Sequence, residues 1–200
     1  MNTPTDTRVQ IVAIQGSVRP GNYTAKALTL VVDELHQHEH VMVQVIDPAT
    51  LHLPFPGVDE QAPDAEALQV AVSEATGVIL ATPEYHGGFS SVMKLVIENL
   101  GFPSVLAGKP VALLGVAAGQ IGAIKSLESL RSVCSHVGAI VLPGPVSVAG
   151  VQTLFSEAGR CLDPSVEGRI RAVATHLLDY IQDNICPRIT LEAMVRTDAA

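Results

Sequence analysis

The stretch from residue 77 to residue 100 limits the fold more than any other. Gly77-Val78-Ile79-Leu80-Ala81 is uncharged, apolar and partly β-branched, the pattern of a short strand buried on both faces. Thr82-Pro83 follows, and because proline cannot donate to a sheet ladder the strand is expected to end there. Gly87 and Gly88 permit backbone paths closed to other residues, and Ser90 suits a helix N-cap. Val92, Met93, Val96 and Leu100 then recur at helical spacing. Strand, polar loop and helix in succession form the unit of an open α/β sheet, which holds ligands beyond the carboxyl ends of its strands.

The rest of the chain repeats that unit. Val9–Ile14 reads as a strand closed by Gly16, and Ala25, Leu28, Val31, Val32 and Leu35 form one helical face. Val41–Ile46 is a second strand, ending at Asp47-Pro48, and Pro54 and Pro56 mark an irregular loop. Pro63 opens a helix with Asp64 and Glu66 at its positive end and Leu68, Ala71, Val72 and Ala75 facing inward. Pro110–Val116 is a fourth strand, followed by a helix over 121–137 that uses Ile121, Ile124, Leu127 and Leu130. Ala139–Leu142 is a fifth strand, and Gly144–Arg160 has no clear period and reads as an irregular excursion. Asp163-Pro164 starts a last helix, carried inward by Ile170, Val173, Leu177 and Ile181. Alternating strands and helices give a doubly wound five-stranded parallel sheet in a three-layer α/β/α domain. One domain over residues 1–200 is expected, with a core at about 8–184 and a tail at 185–200.

Composition agrees with a sheet covered on both faces: 48% of residues are hydrophobic and only 16% charged. The net charge of −8 argues against nucleic acid or an anionic membrane as a partner, so any anionic ligand must be held locally. Cys134, Cys161 and Cys186 are odd in number, share no metal-like spacing and read as reduced thiols. No run reaches the length of a membrane span, and Met1–Thr7 is polar with no apolar signal region, so a soluble cytoplasmic protein is expected.

Three loops follow strands and feed helices. Gly16-Ser17-Val18-Arg19-Pro20-Gly21-Asn22-Tyr23-Thr24 combines two glycines, hydroxyl and amide donors and one Arg ahead of a helix. Such a loop can cradle a phosphate, or serve as an ordinary βα turn with a solvated Arg. Its glycines do not match G-x-G-x-x-G and there is no G-x-x-x-x-G-K-[ST], although Asp47 stands where a ribose-binding acid would. His86-Gly87-Gly88 is similar to an esterase oxyanion segment, but a G-x-S-x-G elbow is absent, which disfavours that chemistry. The third loop, Gly115–Gln120, is rich in small residues, and Gln120 can both donate and accept. His36, His38 and His40 alternate near a helix end; with no carboxylate or Cys completing a set, they fit imidazoles favoured by the dipole better than metal ligands.

Taken together, the loops resemble those of the NADPH-dependent FMN reductase family, which is flavodoxin-like and includes quinone, azo-dye and chromate reductases. Gly16-Ser17-Val18-Arg19 leading through Asn22 and Thr24 is similar to the family's phosphate loop, and Thr82-Pro83-Glu84-Tyr85-His86 to its flavin-ring loop, where Pro-Glu-Tyr-Asn is usual. Met93-Lys94 stands where Leu-Lys is usual, and Ala118-Gly119 corresponds to the third flavin loop, so the resemblance covers about residues 8–143. The chain departs from the pattern at His86, at Ser90-Ser91 where Pro-Gly is common, and at Asn99 where an aromatic is frequent.

The resemblance implies FMN as cofactor, with Ser17, Arg19, Asn22, Tyr23 and Thr24 around its phosphate. Pro83, Glu84, Tyr85 and His86 would line the isoalloxazine largely through backbone groups, with Gly119 and Gln120 approaching from the third loop. It implies ping-pong hydride transfer from NADPH to FMN and on to a quinone, azo, metal-oxyanion or free-flavin acceptor, with no catalytic side chain and no metal. A homodimer or homotetramer is implied. The rival readings are a flavodoxin-type electron carrier and a reductase that supplies reduced flavin to a partner monooxygenase.

Overall fold

The computed structural model describes residues 8–58 and 62–197. The polar Met1–Thr7 segment and the last three residues of the expected tail lie outside the described residues. In chain order the strands are β1 (Val9–Gln15), β2 (Val41–Ile46), β3 (Gly77–Tyr85), β4 (Gly88–Phe89), β5 (Pro110–Val116), β6 (Ile140–Val141) and β7 (Val146–Val148). The helices are α1 (Tyr23–Leu35), α2 (Pro63–Glu74), α3 (Ser91–Glu98), α4 (Ile124–His136), α5 (Pro164–Tyr180) and α6 (Cys186–Thr197), with a π turn at Ile181–Ile185.

The sheet runs β2-β1-β3-β5-β6, with β7 pairing β5 beyond β6 and the short β4 folding back on β3. All pairs except β3–β4 are parallel, which is the flavodoxin-like doubly wound order. Strand alternation then divides the core. Ile11, Ala13, Ile79, Ala81, Ala112 and Leu114 pack under α1 and α5, while Val12, Ile14, Val78, Leu80, Val111 and Leu113 pack under α2, α3 and α4. The direction of the sheet reverses between β1 and β3, so their carboxyl ends flank the crevice where ligands of this architecture bind.

Several expected boundaries shift, each for a local reason. β3 does not stop at Pro83 but continues to Tyr85, with Pro83 in register with Val116. The Ala81 carbonyl accepts from Gly16 N at 2.7 Å; by alternation the Pro83 nitrogen faces the same side, where β1 has already ended. α4 starts at Ile124, not at 121, and Ile121 is 75% exposed; the inward stripe is Ala123, Leu127, Leu130 and Cys134. The fifth strand is not continuous over 139–142. Pro143-Gly144-Pro145 breaks it into β6 and β7, both paired to β5, so the supposed irregular stretch after 144 carries sheet structure and a 3-10 turn at Val151–Thr153. The expected tail is helical: α6 follows the π turn directly. Among the described residues no helix is long and apolar enough to cross a membrane.

Candidate functional site

The carboxyl ends of β1, β3 and β5 bring three loops to one edge of the sheet. In the first, a Cβ built on Gly16 would meet the Ala81 oxygen at 2.6 Å and Met93 Cε at 3.0 Å, so only glycine lets the chain turn this close to β3. Buried Gln15 donates from Nε2 to the Ser17 carbonyl at 2.6 Å and to Asp47 Oδ1 at 3.2 Å. Asp47 also accepts from Ala49 N at 3.0 Å, so its carboxylate is tied to its own turn and to Gln15. Asn22 caps α1 by accepting from Ala25 N at 2.7 Å, and its Nδ2 donates to the Arg19 carbonyl at 2.8 Å. Its side chain shapes the loop.

Ser17 is the exception. Its hydroxyl is buried and is the one buried side-chain polar atom without a hydrogen-bond partner among the described residues. Leaving such a group unpaired costs about 1–3 kcal/mol. It lies just upstream of α1, whose first N–H groups have no intrahelical acceptor and carry partial positive charge, a setting that suits a phosphate. Thr24 is buried in the first turn of α1. Tyr23 turns aside: its hydroxyl makes a long bond of 3.5 Å to the Gln152 carbonyl, and its ring lies 6.3 Å from that of Phe155. The exposed Arg19 places its guanidinium 5.2 Å from the centroid of the Tyr85 ring.

The second loop is a hairpin. Tyr85 pairs with Gly88 and Glu84 with Phe89, leaving His86 and Gly87 as a two-residue turn with φ of +51° and +74°. Positive φ at both central positions matches a type I′ turn, and His, like Asn, is among the few non-glycine residues that tolerate the left-handed region. Behind the turn, buried Thr82 accepts from Ser90 N at 3.2 Å. Ser90 Oγ accepts from Met93 N at 3.0 Å, capping α3, and donates to the Gly16 carbonyl at 2.6 Å. Glu84 reaches across to α4, where Oε2 accepts from Ser126 N at 3.1 Å. The α4 N-cap residue is Ala123, which has no capping side chain, so a carboxylate from β3 supplies the anion that the helix end favours.

The third loop is held from the far side. The Gly119 carbonyl accepts from Gly122 N and Gly150 N, both at 3.2 Å, and Gln152 Nε2 donates to the Ala118 carbonyl at 3.2 Å. A Cβ on Gly119 would meet nothing within 4 Å, and Gln120 is exposed, so this wall is open.

The structure thus gathers all eleven expected residues around one edge. It assigns Asn22, Glu84 and Tyr23 to internal contacts, leaves Arg19, Tyr85, His86 and Gln120 exposed at the rim, and keeps Ser17 buried with its hydroxyl unpartnered. Sequence reasoning missed Gln15 and Gln152 as supports, and placed Thr82 in the ring loop without its bond to Ser90 N. Gln15, a polar residue closing an apolar strand, carried a readable signal; Gln152, in a stretch with no period, carried none. A separate groove of about 1350 Å³, lined by Pro54, Phe55, Ile97, Phe102 and His136 among others, lies on the outer face of α3 and α4. Phe55 and Phe102 are exposed there.

A family model described as NADPH-dependent FMN reductase matches residues 9–153. An NADPH azoreductase from Bacillus sp. (strain OY1-2) is 29% identical over 175 residues, covering 86% of this chain and 94% of the relative. A quinone reductase from Escherichia coli (strain K12) is 26% identical over 185 residues, covering 88% and 96%. Among solved structures, an oxidoreductase from Corynebacterium diphtheriae superposes with a TM-score of 0.74 at 19% identity, covering 88% of this chain and 98% of that one, a likeness of fold.

Proposed function

The chain belongs to the NADPH-dependent FMN reductase family, and on that premise we propose that it reduces a quinone or azo acceptor at one flavin site, with NADPH and acceptor entering in turn. Its reaction is an oxidoreduction with FMN as cofactor and NADPH as reductant, as in the family. The observation that carries the placement of the cofactor is the unpaired, buried Ser17 hydroxyl at the head of α1.

In this reading Ser17, the first-turn N–H groups of α1 and Arg19 hold the phosphate, while Asn22 and Gln15 keep the loop in shape. When bound, FMN supplies the hydride-accepting and hydride-donating chemistry. The hairpin at Pro83–His86 and the open wall at Gly119-Gln120 border the ring, and the contacts of Glu84 and Ser90 hold that border rigid. No side chain of this chain need act as acid or base. The names of the azo and quinone relatives support a planar, conjugated acceptor.

The fitting test is steady-state kinetics on the FMN-loaded protein: parallel double-reciprocal lines for NADPH and a quinone are expected, and intersecting lines would mean that both bind together. Slow or absent bleaching of the bound flavin by NADPH would point to an electron carrier. Assembly belongs to the same proposal. Exposed Phe55 and Phe102 in the outer groove favour a homodimer or homotetramer, and light scattering at the 21.0 kDa monomer mass would contradict it. The three cysteines, none of them in a disulfide among the described residues, suit a reducing, cytoplasmic setting, and residues 1–200 are read as one domain.

A further inference from the structure

We propose that Lys125 forms an anion subsite at the rim of the crevice that receives the phosphate-bearing end of NADPH. This rests on the reading above that NADPH is the reductant.

Lys125 is exposed in the first turn of α4, and its side chain lies along the hairpin: a Cβ built on Gly87 would stand 3.5 Å from Lys125 Cδ. An ammonium group at a helix N-terminus meets the positive end of the dipole and is disfavoured there. Other described lysines have partners: Lys26 bonds the Ser156 carbonyl, Lys94 pairs with Glu98, and Lys109 caps the end of α2 through the Ser73 and Ala75 carbonyls. Lys125 has no such partner. Glu84, the acid that reaches the same helix end, is bound to Ser126 N and forms no ion pair with it. Arg19, over Tyr85 on the same hairpin, likewise lacks an ion pair.

Arg19 from the first loop and Lys125 from α4 thus flank one hairpin with no ion pair to either among the described residues, in a chain of net charge −8. Bound FMN phosphate would answer Arg19 at the first loop. Lys125 lies on the α4 side of the hairpin, against Gly87, in the turn that the reading above sets at the border of the ring. A nicotinamide dinucleotide carries its negative charge in the diphosphate, and NADPH adds the 2′-phosphate, so an exposed lysine there acts mainly through charge and is screened by salt.

The test is calorimetric titration of the FMN-loaded protein with NADP⁺ and NAD⁺ at low and high salt, with steady-state kinetics alongside. Lys125→Gln should raise the dissociation constant of NADP⁺ and the KM for NADPH by about three- to tenfold at low salt, with a smaller change for NAD⁺. The loss should shrink at high salt, be larger in Lys125→Glu and be restored in Lys125→Arg. Arg169→Gln, which removes the same charge from an exposed site on α5, should change neither constant. Unchanged NADP⁺ affinity and salt slope in Lys125→Glu would overturn the assignment. If the wild-type protein binds FMN but oxidises no NADPH, the functional reading itself fails and the assignment falls with it. If Arg169→Gln matches Lys125→Gln, the effect is one of net charge and no subsite exists.

Discussion

Ser90 and Gly16, 74 residues apart in sequence, are joined by a 2.6 Å hydrogen bond from the Ser90 hydroxyl to the Gly16 carbonyl, while the same oxygen accepts from Met93 N. One buried side chain thus caps α3 and pins the first loop to the second. Ser90→Ala removes both contacts and leaves a buried carbonyl unpaired. A loss of about 1–3 kcal/mol in unfolding free energy is expected, read from urea denaturation. FMN affinity should fall as well, because the loop that starts at Gly16 loses its anchor. Unchanged stability would show that water replaces the hydroxyl.

Ser17 makes the opposite prediction for the protein without ligand. Its hydroxyl already lacks a partner, so Ser17→Ala removes a buried unpaired group and should leave the apo-protein as stable or slightly more so. FMN affinity should drop by about tenfold, the worth of one charge-assisted hydrogen bond. The pair of measurements, thermal unfolding of the apo-protein and fluorescence titration with FMN, separates a residue kept for a ligand from one kept for folding. A Ser17→Ala protein that is less stable and binds FMN normally would reverse that assignment.

Much of this was legible in the chain because period and punctuation agree. Val9–Ile14, Gly77–Ala81 and Pro110–Val116 are apolar on both faces, and Asn22, Ser90 and Asp163 each cap the helix expected behind them. Failures arose where one residue's identity had to be weighed against its surroundings. Pro83 ends a strand only where its nitrogen would face a neighbour, and here β1 has already stopped. Ile121 fits a helical period yet is exposed, because the helix starts three residues later than the pattern suggests, where Glu84 caps it. Long-range supports such as Gln152 to Ala118 have no local signature at all.

Glu84 should be the residue through which β3 steadies α4. Its carboxylate bonds Ser126 N at 3.1 Å, where the helix has no capping side chain of its own. Glu84→Ala should cost about 1 kcal/mol or more, while Glu84→Gln, which keeps an acceptor oxygen but not the charge, should cost about half as much. Amide hydrogen exchange at Ser126 offers the local readout. It should quicken in Glu84→Ala more than in Glu84→Gln, and equal exchange in both and in wild type would mean that water caps the helix.

Cys134 is buried on α4, and burial pushes its thiol from 9.0 up to about 12. The unfolded chain therefore releases this proton first. The contribution is present below about pH 9 and is lost as pH rises from about 9 to 12, at roughly 1.4 kcal/mol per pH unit. Cys134→Ala should flatten the alkaline decline of stability relative to wild type over that window. In the native protein at pH 8 a small alkylating reagent should leave Cys134 unmodified, as mass spectrometry of the digested protein would show. Ready modification of Cys134 without unfolding would contradict its burial.

His86 is the one non-glycine residue with positive φ among the described residues, at +51° in the turn that follows Tyr85. Asn adopts this region with little cost, so His86→Asn should preserve the hairpin and raise stability by a few tenths of a kcal/mol. A β-branched residue such as Val would be strained there by about 1–3 kcal/mol and should loosen the hairpin. Because the side chain is exposed at the rim and its backbone fixes the turn, FMN affinity should stay within a few-fold in His86→Asn. The substitution should act on acceptor choice, since it exchanges an aromatic ring at the rim for a smaller amide. Comparing kcat/KM for a small and a bulky quinone should show a different ratio in His86→Asn from that in wild type, and an unchanged ratio would take the side chain out of acceptor choice. If hydride transfer from NADPH stopped in His86→Asn while FMN remained bound, the imidazole would be an obligatory proton carrier, and the reading in which no side chain is essential would be wrong.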